Sequence, residues 1–432
     1  MKKTTSILHI YALLACCAMV AGMAGCDNNY SPVVKGNGKP AVVDYIRTPY
    51  PEAADSVITE AEKLQTIVVA GSNLQSVNRI YFDDVAATLN PTYITESAII
   101  LSVPFSETRT SKMVLYTSDS LRTEFPFVTY VPAPALQSLK CEYVPDGGEA
   151  VVKGSFFYEP IKVWFRAKHS SDSIEGKVTG CTANAVTVVV PAGAGEGPLT
   201  VSSKYGQTTS LFRFRDQTGL IANFNNGLHW GNPWDIGQLG SENPCGDDET
   251  EGYLLFKRQA VGEWFWSQED LAGCYWDRYD ERRSPFLPAG TDITQYGLRF
   301  EANVITWTDL PMHIWFANGD EIIDMGGDGA TTTPQAHWCP WLVDGDATTN
   351  TWSVKEFKTD GWETFTIPLT EFRYDKLGRF STNGQTELMM GDIASYRNLN
   401  FMVYCMQCDP TTKHDVHICL DNPRLVPLNP KK

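Results

Sequence analysis

The chain has 432 residues, of which 43% are hydrophobic and 20% are charged. This composition is typical of folded protein and excludes wholesale disorder. Asp and Glu number 51 against 35 Lys and Arg, and residues 218–432 hold 31 of these acids but only 16 of these bases. A nucleic-acid-binding protein needs an electropositive face, so no nucleic-acid partner is predicted. The acidic C-terminal half also disfavours polyanionic ligands.

The first 25 residues predict an export signal. Two lysines precede an apolar stretch at residues 11–20, and the small pair Ala24-Gly25 stands directly before Cys26. The stretch is too short to span a membrane comfortably. The Ala-Gly-Cys ending resembles a bacterial lipobox, which implies that Cys26 is lipidated and begins the mature chain. The alternative is an ordinary signal peptide with a chance cysteine.

Residues 26–40 predict a flexible tether. Asn, Ser, Gly and Pro dominate this segment, and such residues favour extended or turning backbone without a packed side-chain face. No later segment approaches the roughly 20 apolar residues of a membrane helix. The sequence therefore predicts a chain whose membrane attachment is the lipid alone.

The chain contains 11 cysteines, and eight remain after the signal peptide and Cys26 are set aside. Eight are too few for a disulfide framework over some 400 residues, although Cys141 and Cys181 fall in one predicted domain and could pair in an oxidising compartment. Residues 405–419 contain a Cys/His pattern that superficially suggests zinc. Apolar residues alternate with polar ones over residues 416–421, which predicts a strand instead. No metal or cofactor is predicted.

The first half of the chain contains an internal repeat. Gly71-Ser-Asn-Leu recurs as Gly154-Ser-Phe-Phe, and Ile80-Tyr-Phe recurs as Val163-Trp-Phe, both at an offset of 83 residues. Each unit is a series of short β-branched or aromatic runs separated by Gly and Pro turns. This pattern predicts two antiparallel sandwiches, at residues 41–131 and 132–217. The glycine-rich run 191–198 is predicted to be a turn between strands, and Trp164 to be a core residue.

The two units resemble IPT/TIG domains, which are immunoglobulin-like modules. The resemblance is carried by the Gly-x-x-Leu/Phe start and by the Val-Pro before a turn, at residues 103–104 and 190–191. It implies that the two units act as spacers, since this is the role of such modules in many proteins.

Eleven of the 12 tryptophans follow residue 217. The apolar runs of this region are typical of strands, and they predict a larger jelly-roll-like β-sandwich at residues 218–428. The fold class is therefore all-β throughout. Trp307, Trp315 and Trp362 lie in strand-like runs and are predicted to be core residues.

Other aromatic residues of this region lie in turn-rich segments. Flat aromatic rings cover the faces of sugar rings at low entropic cost, while polar groups bind the hydroxyls. An extended glycan would be matched by two or three such rings in a row. The predicted ligand-binding residues are Tyr275 and Trp276, supported by Trp234, Trp264, Trp338 and Trp341.

The whole arrangement of lipobox, tether, two IPT-like units and a Trp-rich jelly roll resembles surface glycan-binding proteins of the SGBP-B type. These proteins belong to polysaccharide-utilisation loci of Bacteroidetes. The resemblance implies a lipoprotein on the outer face of the outer membrane that holds a neutral polysaccharide for a TonB-dependent transporter complex. Xyloglucan, mixed-linkage β-glucan and mannan are the candidate ligands.

Two other functions stay open at this point. A glycoside hydrolase needs two carboxylates that flank the scissile bond, and such a pair is easily hidden among 31 acids. An adhesin that binds a host protein is the third possibility. No nucleophile elbow and no zinc-protease motif is present, so the sequence favours a binding protein without catalytic residues.

Overall fold

The computed structural model describes residues 34–49, 56–224, 238–240, 252–261, 271–275, 286–307, 312–317, 335–338, 356–372, 391–396, 398–403 and 413–429. These residues form an all-β protein, as predicted, with strands joined by turns and short 3-10 segments. The chain divides into two compact units, Met1–Pro132 and Ala133–Lys432. In the part that the structure describes, no helix is long and apolar enough to cross a membrane.

The first unit contains one module built from eight strands in two sheets. The strands are β1 (Val42–Arg47), β2 (Glu60–Glu62), β3 (Thr66–Ser72), β4 (Val77–Phe82), β5 (Val85–Ala86), β6 (Ala98–Ser102), β7 (Thr110–Thr117) and β8 (Arg122–Tyr130). One sheet has the order β1-β3-β6 and the other β2-β8-β7-β4-β5. Two 3-10 segments, Leu74–Ser76 and Pro91–Tyr93, join strands. Alternate residues such as Ile67, Ile80 and Leu115 fill one core between the sheets.

Residues 34–40 are attached to this first module by hydrogen bonds. Gly38 N donates to the Asp119 carboxylate at 2.9 Å, and Asn73 Nδ2 donates to the carbonyl of Lys39 at 2.7 Å. A side chain at Gly36 would overlap the same carboxylate, since its Cβ would lie 2.2 Å from Asp119 Cγ. The sequence placed these residues in the flexible tether. The structure corrects this, because their backbone groups have fixed partners.

The second unit begins with a module of seven strands. They are β9 (Ala135–Leu139), β10 (Glu149–Ser155), β11 (Lys162–Arg166), β12 (Ser173–Thr182), β13 (Ala185–Val189), β14 (Gly197–Ser203) and β15 (Gly206–Phe214). Their order is β15-β14-β11-β12-β13-β10-β9, and they enclose a core that includes Val152, Val163 and Phe165. As predicted, the turn that follows Pro191 joins two strands, β13 and β14.

The repeat seen in the sequence has a physical cause in both modules. A Cβ at Gly71 would lie 1.9 Å from the carbonyl oxygen of Val42, and a Cβ at Gly154 would lie 2.0 Å from that of Ala135. Two residues later Asn73 and Phe156 both take left-handed backbone, with φ of 59° and 61°. Each module therefore needs glycine at the position that packs against a carbonyl of its first strand. In both modules a left-handed residue follows two positions later.

The C-terminal domain consists of nine described strands in two sheets. They are β16 (Gln238–Gly240), β17 (Tyr253–Val261), β18 (Leu271–Tyr275), β19 (Tyr296–Trp307), β20 (Met312–Ala317), β21 (Gln335–Trp338), β22 (Glu363–Pro368), β23 (Asn398–Val403) and β24 (Lys413–Pro427). One sheet has the order β16-β17-β24-β19-β22 and the other β18-β23-β20-β21. Three 3-10 segments, Ile293–Gln295, Leu369–Glu371 and Ile393–Ser395, lie beside them. The core between the sheets contains Phe300, Trp307 and Phe401.

Several predictions for individual residues can be compared with the structure. Trp307 is a core residue as predicted, and β24 confirms the strand read from the Cys/His segment. Trp164 is only half-buried, because Val163 and Phe165 face the core and the alternation of β11 turns Trp164 outward. The suggested pairing of Cys141 with Cys181 is wrong, since both are free thiols.

Candidate functional site

The strand registers define the two ends of the C-terminal sandwich. In the four-stranded sheet, Met312 is the Cα partner of Trp338 at one end. At the opposite end, Asn398 is the Cα partner of both Ala317 and Tyr275. The two ends are joined by β20, Met312–Ala317, which corresponds to about 17 Å of extended strand.

The five-stranded sheet shares the first of these ends. Trp307 is the last residue of β19, and its ring centroid lies 4.9 Å from that of Trp338 in the opposite sheet. β17 also finishes here, with Val261 paired to Lys413. We call this the Trp307 end of the domain, and the opposite one the Tyr275 end.

Two predicted ligand-binding residues follow strands that finish at the Trp307 end. Trp264 follows β17 after Val261, and Trp341 follows β21. Trp234 precedes β16, whose first residue, Gln238, is the Cα partner of Leu255 near the start of β17. All three residues lie outside the described residues.

Of the two residues that the sequence favoured most, Tyr275 lies at the opposite end, where it is the last residue of β18. Its backbone is described, whereas its side chain and Trp276, the next residue, lie outside the description.

Trp338 is a predicted ligand-binding residue whose side chain the structure describes, and the structure corrects its predicted role. Its side chain is 5% exposed and lies in the core between the two sheets. The rings of Phe300 and Phe365 lie 4.9 Å from it, with T-shaped geometry. β21 is an edge strand whose alternation turns Trp338 inward, so this ring cannot stack on a sugar.

The outer face of the four-stranded sheet carries a polar and aromatic set that the sequence analysis missed. His313 and Trp315 alternate with core residues of β20, and Asn400 is the Cα partner of Trp315. All three are at most 6% exposed although they face away from the core. Trp315 was predicted to be a core residue. It is buried, but it lies on the outer face of the sheet and not in the core between the two sheets.

The outer face of the five-stranded sheet is occupied by the second module. Glu142 of that module accepts hydrogen bonds from Arg424 Nη2 at 2.5 Å and from Arg299 Nη1 at 2.7 Å. Arg424 also forms a bidentate pair with Glu301, at 2.7 and 2.8 Å. Two arginines and two glutamates thus balance in charge at the junction. We call this set the junction cluster.

The charged side chains of the junction cluster are buried, so they interact strongly with one another. Arg424 and Glu301 are both 0% exposed, and Glu142 is 3% exposed. Burial lowers the pKa of Arg424, but the charges of Glu301 and Glu142 outweigh this and hold it well above its ordinary value. Arg424 therefore remains charged at every pH at which the protein is folded. The acids of the cluster are held by arginines and are not available as a general acid or base.

Further contacts extend the junction around the cluster. Thr364 N donates to the carbonyl of Lys140 at 2.8 Å, and Lys140 Nζ lies 3.0 Å from Asp360 Oδ2. Trp362 was predicted to be a core residue of the C-terminal domain. It is half-buried and packs against the core of the second module, with its ring 5.8 Å from that of Tyr253.

One outer face of the sandwich contacts the second module, and on the other outer face His313, Trp315 and Asn400 are buried. Across the described ranges, no group of three or more His, Cys, Asp or Glu side chains is arranged to hold a metal ion. The sequence signal for His313 and Trp315 is their alternation in β20 with the core residues Met312, Ile314 and Phe316.

Comparisons with known proteins agree with this architecture. Residues 214–427 match the family described as the surface glycan-binding protein B xyloglucan binding domain. The chain is also 31% identical over 130 residues to an IPT/TIG domain-containing protein of Bacteroides ovatus. That alignment covers 28% of this chain and 27% of the relative, so the chain matches about a quarter of the relative's length.

Two solved structures are similar to this chain over most of its length. The surface glycan-binding protein PbSGBP-B from Prevotella bryantii is 21% identical, with a TM-score of 0.60 over 90% of this chain and 99% of that chain. An SGBP-B from a complex xyloglucan utilization locus in Bacteroides uniformis is 15% identical, with a TM-score of 0.46 over 90% of this chain and 100% of that chain. Residues 214–427 of this chain therefore belong to the family of surface glycan-binding protein B xyloglucan binding domains.

Proposed function

We propose that this protein is an outer-membrane surface lipoprotein that binds a neutral polysaccharide without cleaving it. The ligand is a β-glucan such as xyloglucan or mixed-linkage glucan, or a mannan. The observation that carries the proposal is the match of residues 214–427 to a xyloglucan-binding domain. Lipidation at Cys26 provides the membrane anchor, and a TonB-dependent transporter complex receives the glycan.

The proposed site is an aromatic platform in the C-terminal domain that is centred on Tyr275 and Trp276. Trp234, Trp264 and Trp341 are further candidates for stacking on a sugar, and the buried Trp338 is no longer one of them. A neutral ligand is supported by the 31 acids against 16 bases in residues 218–432, because this charge repels polyanions.

Affinity electrophoresis of residues 27–432 through gels that contain one polysaccharide each tests the proposal. We expect retardation by a neutral glucan or mannan, with no reducing sugar released in a parallel assay. Release of reducing ends would establish a hydrolase. Absence of retardation by every glycan would favour a protein-binding adhesin.

Two matched variants then locate the platform. Trp276→Ala reports on the Tyr275 end and Trp264→Ala on the Trp307 end. Loss of one stacked ring is expected to weaken binding by about twofold to thirteenfold, because aromatic stacking contributes about 0.5–1.5 kcal/mol. Trp276→Ala is the variant expected to abolish retardation. Unchanged mobility of that variant would contradict the assignment to the Tyr275 end.

A further inference from the structure

Exposed apolar side chains are concentrated in the first module. Ten large apolar side chains are exposed in the described part of the chain, and eight of them lie between residues 34 and 105. Four of the eight, Val42, Tyr45, Tyr93 and Ile100, are 37–53% exposed. Single exposed apolar residues are ordinary on protein surfaces, whereas a contiguous group of them marks an interaction site.

The strand registers show that these side chains share one face of the sheet β1-β3-β6. The core-facing residues in the middle of the three strands are Ile46, Val69 and Ile99. Their neighbours along each strand therefore face outward. Ala70 is the Cα partner of both Tyr45 and Ala98, and Val68 is the Cα partner of Ile100. The outer face of this sheet is therefore apolar across all three strands.

The apolar group extends to both edges of the same face. At one edge Val43 packs against the core, so Val42, the first residue of β1, faces outward. At the other edge Ile94 bridges to Ile99, which brings the preceding residue, Tyr93, to the edge of the sheet near Ile100. We call this surface the outer apolar face; its residues are Val42, Tyr45, Val68, Ala70, Tyr93 and Ile100.

The outer apolar face carries little charge. β3 and β6 contain no charged residue, and β1 contains one acid, Asp44, and one base, Arg47. Charged residues are depleted at the centre of interaction surfaces. Tyrosine is enriched at protein interfaces and at the boundary between membrane and water, because its ring is apolar and its hydroxyl is polar. The face therefore suits an apolar or amphipathic partner.

The path of the chain before β1 identifies that partner. Ser118 Oγ donates to the carbonyl of Val34 at 2.8 Å, and Thr123 Oγ1 donates to that of Ala41 at 2.6 Å. Residues 34–41 thus lie at the end of the module where β1 begins. Seven residues, 27–33, separate Val34 from Cys26. With Cys26 acylated as proposed above, the lipid surface is the partner that the chain itself brings to this face.

A short tether makes even a weak contact with the membrane significant. Docking becomes an intramolecular step, with an effective concentration on the order of millimolar for a short flexible linker. The strength of such docking increases with the apolar area that enters the headgroup region. Exposed apolar side chains spread over three strands provide that area.

We propose that the outer apolar face docks on the headgroup region of the lipid bilayer, with Tyr45, Tyr93 and Ile100 at the apolar boundary. The first module then acts as a membrane-docking module and not only as a spacer. This inference rests on the acylation of Cys26 in the proposed function, and it is independent of the glycan platform in the C-terminal domain.

Hydrogen–deuterium exchange of the acylated full chain on vesicles of phosphatidylethanolamine and phosphatidylglycerol tests the proposal. Residues 27–432 in free solution are the reference. We expect slower exchange of the amides of β1 and β6 on vesicles, with the amides of β4 and β5 in the opposite sheet unchanged. Because the face carries little charge, this protection should persist at high salt.

Two variants locate the contact. Tyr45→Ser combined with Ile100→Ser is expected to abolish the protection on vesicles, because it removes two exposed apolar side chains of the face. Leu64→Ser is the control, since Leu64 is 56% exposed but lies before the first residue of β3, at the opposite end of the module from Val42. It is expected to leave the protection unchanged. All three positions are exposed, so both variants should fold normally.

The remaining outcomes overturn the proposal, each for a different reason. Failure of the wild-type chain to float with vesicles refutes the acylation, and this inference with it. Flotation with unchanged exchange in β1 and β6 refutes the docking alone. Protection that increases with protein concentration in free residues 27–432 assigns the face to a second copy of the chain. Protection that is lost at high salt assigns the contact to exposed lysines such as Lys35 and Lys39.

Discussion

Glu142→Ala is the substitution that most directly tests how the second module and the C-terminal domain are joined. The Glu142 carboxylate is 4% exposed and accepts one bond each from Arg424 and Arg299. Its removal leaves two arginines with Glu301 alone, so the junction gains one unbalanced positive charge. Arg424 has no route to water, because its side chain is 0% exposed.

The expected loss in the free energy of unfolding depends on how exposed the two arginines are. Removal of one partner of a buried ion pair costs about 3–5 kcal/mol. Arg299 is 20% exposed and regains part of its hydration, which places the expected loss near the lower figure. We therefore expect the free energy of unfolding to fall by about 3 kcal/mol, a roughly 150-fold shift in the folding equilibrium.

Urea unfolding followed by tryptophan fluorescence measures this effect, since 11 of the 12 tryptophans follow residue 217. Glu175→Ala is the matched control, because Glu175 pairs with Lys162 at 3.2 Å with both side chains about half exposed. Exposed pairs contribute about 0–1 kcal/mol. A loss for Glu142→Ala no larger than that of the control would refute the stabilising role of the junction cluster.

Three other substitutions or reactions test the fold. Gly71→Ala is expected to destabilise the first module by about 1–3 kcal/mol, because the new Cβ overlaps a carbonyl. Thermal unfolding measures this loss. Gly180→Ala is the control and should be near neutral, since its Cβ would meet nothing closer than 3.6 Å. Trp338→Ala is expected to cost about 3–5 kcal/mol in urea unfolding as a core deletion, and a smaller loss would contradict its burial. Burial raises the pKa of Cys419 to about 11, so its thiolate is scarce at pH 8. Iodoacetamide should therefore label Cys419 much more slowly than the half-buried Cys181. Equal labelling of the two cysteines, measured by mass spectrometry, would contradict this.

The sequence was sufficient for features that depend on local spacing. The offset of 83 residues between Gly71 and Gly154 is visible without a structure, because both modules need the same close approach at that strand. The alternation at residues 416–421 likewise predicts β24, whose alternate residues enter the core. Periodicity identifies such elements because a strand buries every second residue.

The errors concern residues whose environment depends on distant parts of the chain. Trp362 contacts the core of a different module, and no local pattern indicates such a contact. Trp338 follows a polar segment, and its inward orientation depends on pairing with β20. Trp164 is different, because Lys162 and Arg166 share its face of β11 and the alternation already indicated an outward ring. The prediction gave more weight to the residue type than to its position.

The attachment of residues 34–40 to the first module limits how far the protein extends from a membrane. With Cys26 acylated as proposed, eight peptide units separate the lipid from Val34, and a fully extended chain of this length spans at most about 30 Å. That distance is roughly the thickness of a bilayer's hydrocarbon core, about 30 Å. Under the proposed acylation, the first module is therefore confined close to the lipid headgroups.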